Sequence, residues 1–160
     1  MLDVGCGDGH HAAAYWRNTN VSFIAVVDIS LGALTAVREK LDAIRPVTNQ
    51  NSVGLVGELG QSSTLVSRLA AEMMTRGLRA EFDIIIVDRV LHHIHPDHHV
   101  DVLDQLADLL KSDGRLVFSR LYQPLCPGLA YGVQCTQDRG RVVVHSTVST
   151  QVAPMSLYER

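Results

Sequence analysis

Leu2-Asp3-Val4-Gly5-Cys6-Gly7-Asp8-Gly9 is the stretch on which the reading of this 160-residue chain turns. A short apolar run ends in a turn where every second residue is glycine. A helical pattern follows over about His10 to Arg17. Glycine in such a turn permits positive φ and exposes bare peptide against which a ligand can lie. Strand, glycine turn and helix together form the opening unit of an α/β sheet. Ligands of such sheets bind in the crevice at the carboxyl ends of the strands.

Outward from this unit the pattern repeats. Val21 to Asp28, Phe82 to Asp88 and Gly114 to Ser119 are near-continuous apolar runs, which suit strands buried on both faces of a parallel sheet. Ser52 to Val56 is a further, weaker strand. Helical periodicity fills the gaps. The second helix is expected over Leu31 to Ile44, with Asp28 or Ser30 as N-cap and Pro46 beyond its end. The third is expected from Ser62 to Arg76, closed by Gly77. The fourth, His99 to Lys111, sets Val102, Leu103, Leu106, Leu109 and Leu110 on one face.

This alternation predicts an α/β fold: a doubly wound, mostly parallel sheet of five strands with helices on both faces. The tail changes character. Pro124, Pro127 and Gly128 argue against a regular helix over Leu121 to Ala130. Tyr131 to Thr136 and Arg141 to Thr150 read as an antiparallel β-hairpin turning at residues 137–140. The expectation is one domain over residues 1–160. Residues 1–120 would be the cofactor-binding core and 121–160 the C-terminal hairpin region.

The end of the second strand sharpens the reading. Asp28 stands about 20 residues after the glycines, where a carboxylate accepts both hydroxyl hydrogens of a ribose. Glycine turn, helix, strand and terminal acid together point to a nucleoside-containing cofactor.

Composition narrows the class. The chain is 46% apolar, enough for a sizeable core, and aromatics are only 5%, so aliphatic residues must fill it. A net charge of −3, with Lys40 and Lys111 as the lysines, excludes a basic footprint for duplex DNA. Cys6, Cys126 and Cys135 are too few and too irregular for a disulfide framework and suit a reducing compartment. No segment reads as a signal peptide or a membrane span, so a soluble, cytoplasmic protein is expected. The abrupt start in a strand suggests a fragment, a processed product or a minimal domain.

The residues carry a family resemblance. Leu2 to Gly9 resembles the first motif of class I SAM (S-adenosyl-L-methionine)-dependent methyltransferases: aliphatic, Asp, aliphatic, Gly-x-Gly-x-Gly. Dinucleotide-binding enzymes usually place Gly-x-Gly-x-x-Gly there instead. Phe82 to His93 is similar to the family's fourth-strand segment. Leu109 to Leu116 is similar to its turn before the fifth strand, with Asp113 in place of a glycine.

The resemblance implies SAM as cofactor and S-adenosyl-L-homocysteine as product. It assigns Gly5, Cys6, Gly7 and Gly9 to the turn around the methionine part, which Asp3 helps to orient. Cys6 is expected there as a small buried residue and not a nucleophile. Asp28 would hold the ribose, Ile29 would pack on the adenine, and Glu58, with Gln61 as fallback, would approach the adenine amine. Asp88 and Leu91 would lie beside the methyl group.

His92-His93-Ile94-His95-Pro96-Asp97-His98-His99 invites a rival reading. His93-x-His95-x-Asp97-His98 matches the metal-binding signature of the metallo-β-lactamase fold, a zinc hydrolase. The sole downstream histidine is His145, and a helix start replaces the glycines usual there, so no designed metal site is expected. Capture of metal by His95 and His99 would be opportunistic. His10 and His11 read as polar residues at the start of the first helix.

The acceptor stays open. The second lysine of the ribose-methylating tetrad would fall at Arg120, and the amino-methylating Asn/Asp-Pro-Pro-Tyr/Phe is missing after the fourth strand. Val27-Asp28-Ile29-Ser30 and Val90-Leu91-His92-His93 loosely resemble segments of messenger-RNA cap guanine-N7 methyltransferases. That resemblance implies capped RNA as partner, and the short chain with its abbreviated C-terminal part would suit an enzyme embedded in a larger, viral polyprotein. A small-molecule acceptor and a SAM-binding remnant without turnover remain as alternatives. Asp88, His92 and His93 are the acceptor-side candidates. Nothing in the sequence speaks to oligomeric state.

Overall fold

The computed structural model describes residues 1–60 and 64–119, and the backbone alone of 130–138, 141–149 and Pro96. Five strands build the central sheet: β1 (Leu2–Val4), β2 (Ile24–Asp28), β3 (Ser52–Val56), β4 (Phe82–Val87) and β5 (Leu110–Ser119). They lie in the order β3-β2-β1-β4-β5, all parallel. Beyond β5 the backbone of β6 (Ala130–Asp138) and β7 (Arg141–Ser149) continues the sheet in antiparallel pairing. Of the turn expected at 137–140, Gln137 and Asp138 instead belong to β6, and residues 139–140 lie outside the described residues, as do the cysteine at Cys126 and the side chains of Cys135 and His145.

Strand alternation sends successive side chains to opposite faces, and the core divides accordingly. Leu2, Val4, Ala25 and Val27 pack on one face with Leu65 and Leu69 of α3 (Leu65–Thr75) and Val102 and Leu106 of α4 (His99–Ala107). Ile24, Val26 and Ile86 pack on the other. There they meet Ala12 and Trp16 of α1 (His10–Asn18) and Leu34 and Val37 of α2 (Leu31–Asp42). Helices therefore cover both faces.

The helix boundaries follow local chemistry. Ser30 caps α2, its side chain accepting from the Ala33 amide at 3.2 Å. The helix stops at Asp42, short of the expected Ile44. Gly77, at φ 70°, follows α3 as expected. Ser62, where that helix was expected to begin, and Gln61 lie outside the described residues.

The largest departure is α4. Periodicity carries it to Lys111, but it ends at Ala107, and Leu110 already pairs with Phe82 in the sheet. The strand β5 thus begins well before Gly114. A Cβ on Gly114 would meet the Phe82 carbonyl oxygen at 2.7 Å, so glycine is what lets the two strands close up.

Candidate functional site

The sheet reverses direction of growth at β1: β2 and β3 lie to one side, β4 and β5 to the other. Such a switch point opens a crevice at the carboxyl ends of the strands. Gly5 and Gly7 line it and Gly9 is buried in the same turn, with φ of 67°, 49° and 73° in that order. This left-handed backbone is accessible to glycine at little cost. A Cβ on Gly5 would come within 2.2 Å of Val90, and one on Gly9 within 2.6 Å of Val37. Above Gly7 the nearest atom would be the Gly5 carbonyl oxygen at 4.0 Å. The turn is thus closely packed at Gly5 and Gly9 and open at Gly7.

Asp28 stands against this turn. Its Oδ2 accepts the Gly7 amide at 2.9 Å and its Oδ1 accepts the Ser30 amide at 2.9 Å. A carboxylate offers about four lone-pair directions, so two backbone donors orient it without exhausting it. The crevice beside it has a volume of about 440 Å³. Gly5, Gly7, Asp28, Ile29 and Glu58 line it, and Arg89, Val90 and His93, which follow β4, add its lip. Ile29 is 75% exposed, an unusual position for so large an apolar side chain and one that offers a platform to a flat ring.

Two of the expected site residues, Asp3 and Leu91, are buried. Asp3 is 2% exposed and its Oδ2 accepts the Ala12 amide at 3.1 Å, so it ties β1 to the first turn of α1. Burial foremost, opposed by the charge of His11 and the Ala12 amide, raises its carboxyl to about 6. Leu91 is 2% exposed within the core; its neighbour Val90 reaches the crevice in its place. Cys6 is buried, and burial together with the charges of Asp3 and Asp28 pushes its thiol up to about 12. Such a thiol is no nucleophile at neutral pH.

Asp88 follows β4 and is held by three side chains. His11 Nε2 lies 3.1 Å from its Oδ2, and Arg89 Nε lies 3.3 Å from the same oxygen. The Ser119 hydroxyl donates to Oδ1 through a short hydrogen bond and itself accepts the Arg89 amide at 3.0 Å. Burial works against ionisation of Asp88. The hydrogen bonds from His11 and Ser119 and the nearby positive charge outweigh it and bring the carboxyl down to about 2. Arg89 itself adopts φ 56°, a left-handed conformation that a side chain of this size rarely takes.

Neither His11 nor Ser119 stands out in the sequence. A serine closing an apolar strand beside another strand's terminal acid was the available signal for Ser119.

The histidine run lies on two 3₁₀ turns, Leu91–His93 and Pro96–His98, leading into α4. His92 and His93 are exposed, with ring centroids 3.8 Å apart. Burial first, then the charges of His93 and Arg89, lower the pKa of His92. His95 Nδ1 lies 3.6 Å from Asp97, whereas His99 Nε2 contacts the Ile94 carbonyl oxygen at 2.9 Å. Among the described residues no group of three or more histidine, cysteine or acidic side chains is arranged to hold a metal ion. Among them, too, no helix is long and apolar enough to cross a membrane.

The fold agrees with the comparisons to known proteins. A family described as "Methyltransferase domain" matches residues 2–116, and the chain belongs to that family. A candidate protein-L-isoaspartate O-methyltransferase from Plasmodium falciparum, solved with S-adenosyl-L-homocysteine, is similar at TM-score 0.59 and 16% identity. It aligns over 91% of this chain and 60% of its own.

The N-methyltransferase NodS from Bradyrhizobium japonicum, also solved with S-adenosyl-L-homocysteine, is similar at TM-score 0.53 and 19% identity. The match covers 73% of this chain and 50% of NodS. A SAM-dependent methyltransferase from Mesorhizobium loti gives TM-score 0.52 at 19% identity, over 87% and 56% of the two chains. These likenesses define the fold as that of class I SAM-dependent methyltransferases. The chain spans less than two thirds of the length of each of the three. A search of curated proteins found no match.

Proposed function

We propose that this chain binds SAM in the crevice over Gly5, Gly7 and Gly9 and transfers its methyl group to an acceptor by in-line displacement. The observation that carries the reading is the Asp28 carboxylate fixed by the Gly7 and Ser30 amides at 2.9 Å each, beside an open glycine turn. In this reading Asp28 takes the ribose hydroxyls and Ile29 covers one face of the adenine. Glu58 approaches the adenine amine. Gly5, Cys6, Gly7 and Gly9 provide the turn under the methionine half, with Asp3 buried beneath as its tie to α1. The cofactor supplies an electrophilic methyl group; the chain supplies placement, which alone can contribute several powers of ten in rate.

For the acceptor we propose guanine N7 of an RNA cap. A ring nitrogen with a free lone pair needs no base. Asp88 suits such chemistry, since its oxygens are engaged by three donors and its carboxyl lies near 2, far too acidic to take a proton at neutral pH. His93 on the lip, with the ring of His92 beside it, would face the acceptor. The resemblance of Val90-Leu91-His92-His93 to cap methyltransferases supports this choice. A small molecule presenting a comparable lone pair fits the same geometry.

Calorimetry with SAM tests the cofactor reading, and absence of binding overturns it. Incubation with labelled SAM and guanosine-capped RNA tests the acceptor. Label on the guanine supports the cap reading, and an unlabelled cap with a binding-competent protein rejects it.

A further inference from the structure

We propose that Asp88, oriented by His11, Ser119 and Arg89, distinguishes the positively charged methyl donor from its neutral thioether product. The inference rests on the cofactor reading above and adds a discriminating role to one residue of that site.

The argument begins with topology. β1 has β2 on one side and β4 on the other, so the glycine turn is flanked by the acid that ends β2, Asp28, and the acid that follows β4, Asp88. A ligand whose ribose is held at Asp28 extends across the turn toward the end of β4. Asp88 is not itself in the crevice lining, but Arg89 and Val90, which follow it, are, so its charge acts on the far half of the ligand from behind that wall.

The supports of Asp88 come from three places: α1 through His11, β5 through Ser119, and the neighbouring Arg89. The hydroxyl orients the carboxylate without cancelling its charge; the imidazole does the same when neutral and offsets that charge when protonated. Arg89 is the permanent cation of the group, but its side chain is 56% exposed and its contact is long, at 3.3 Å, so water screens it. Asp88 itself is 19% exposed. A charge so placed acts through a medium less polarisable than water and is felt more strongly by a nearby ion.

Methyl transfer removes the ion. The acceptor's lone pair forms the new bond to carbon, the sulfur–methyl bond breaks, and its electron pair stays on sulfur. The positive charge leaves with the methylated acceptor, or with a proton it sheds. A carboxylate that favours the sulfonium therefore favours donor over product. The benefit falls on loading and on product release, because a group that stabilises the charged ground state does not by itself speed the chemical step.

Affinities for SAM and for S-adenosyl-L-homocysteine, measured side by side by calorimetry, test this directly. Asp88→Asn is expected to weaken SAM roughly tenfold while changing the product's affinity less than about twofold. Ser119→Ala should move the same ratio in the same direction by a smaller factor. Arg89→Gln removes the opposing charge and should raise the preference for SAM, a change of sign that loss of structure does not produce.

Equal weakening of both ligands by Asp88→Asn, or no weakening of either, overturns the inference. If Asp88→Asn does not fold, Arg89→Gln decides, and an unchanged ratio overturns it. Failure of the unaltered protein to bind either ligand instead rejects the cofactor reading itself.

Discussion

The Gly7 amide donates to the Asp28 carboxylate at 2.9 Å, closing a gap of 21 residues in sequence. This contact joins the glycine turn after β1 to the acid that ends β2, and it fixes the orientation of the carboxylate before any ligand arrives. Pre-orientation matters because a group that is already ordered loses less freedom on binding.

Replacing Asp28 with alanine is therefore expected to weaken SAM by roughly tenfold to a hundredfold, the range for losing a charged hydrogen-bonding partner. Calorimetry at pH 7 measures it. Unchanged affinity in a protein with a normal melting curve would show that the ribose is held elsewhere.

Gly9→Ala should destabilise the fold. The backbone there has φ 73°, and a Cβ would lie 2.6 Å from a Val37 methyl. Left-handed strain costs about 1–2 kcal/mol for an ordinary residue, and overpacking adds about 1–3 kcal/mol. The double variant with Val37→Ala should recover the packing part only. A single variant as stable as the parent in urea titration contradicts this account.

Asp3 gives a pH signature. Its folded-state carboxyl lies at about 6, above the ordinary 3.8, because burial penalises the charge. Between those values the folded chain holds a proton that the unfolded chain has released, so stability falls as pH rises. The effect is full below about 3.8 and gone above about 6. Asp3→Asn keeps an acceptor for the Ala12 amide and removes the titration. Its stability relative to the parent should climb across pH 4 to 6 by up to about 3 kcal/mol and then level off. Denaturant midpoints from pH 4 to 8 measure this, and a falling difference would refute it.

Cys6 should resist thiol reagents. With its thiol pushed up to about 12 and only 7% of the residue exposed, it should stay unmodified in the native protein at pH 8. It should react once urea unfolds the chain. Peptide mapping by mass spectrometry separates it from Cys126 and Cys135. Rapid native labelling at Cys6 would count against the burial described.

Much of the architecture was legible because its strands are buried and its helices are punctuated. Ser52–Val56 was located to the residue, and Ser30 and Gly77 mark the start of α2 and the end of α3. The C-terminal boundary of α4 was not legible. Leu109 and Leu110 continue the helical period of apolar residues, and what ends the helix is a pairing with Phe82, a partner that no local window contains.

The same limit applies to the site. The glycines and Asp28 announce themselves by spacing. His11 meets Asp88 across 77 residues, and the left-handed turn at Arg89 leaves no mark in composition.

The valine at 90 leans so far over Gly5 that any side chain there would collide with it at 2.2 Å. Floor and lip of the crevice thus share a wall, although they belong to opposite ends of the β1–β4 segment. Volume gained by one must be surrendered by the other. A smaller residue at position 90 will also loosen the packing over Gly5, and redesign of this protein will have to treat the two positions as a single choice.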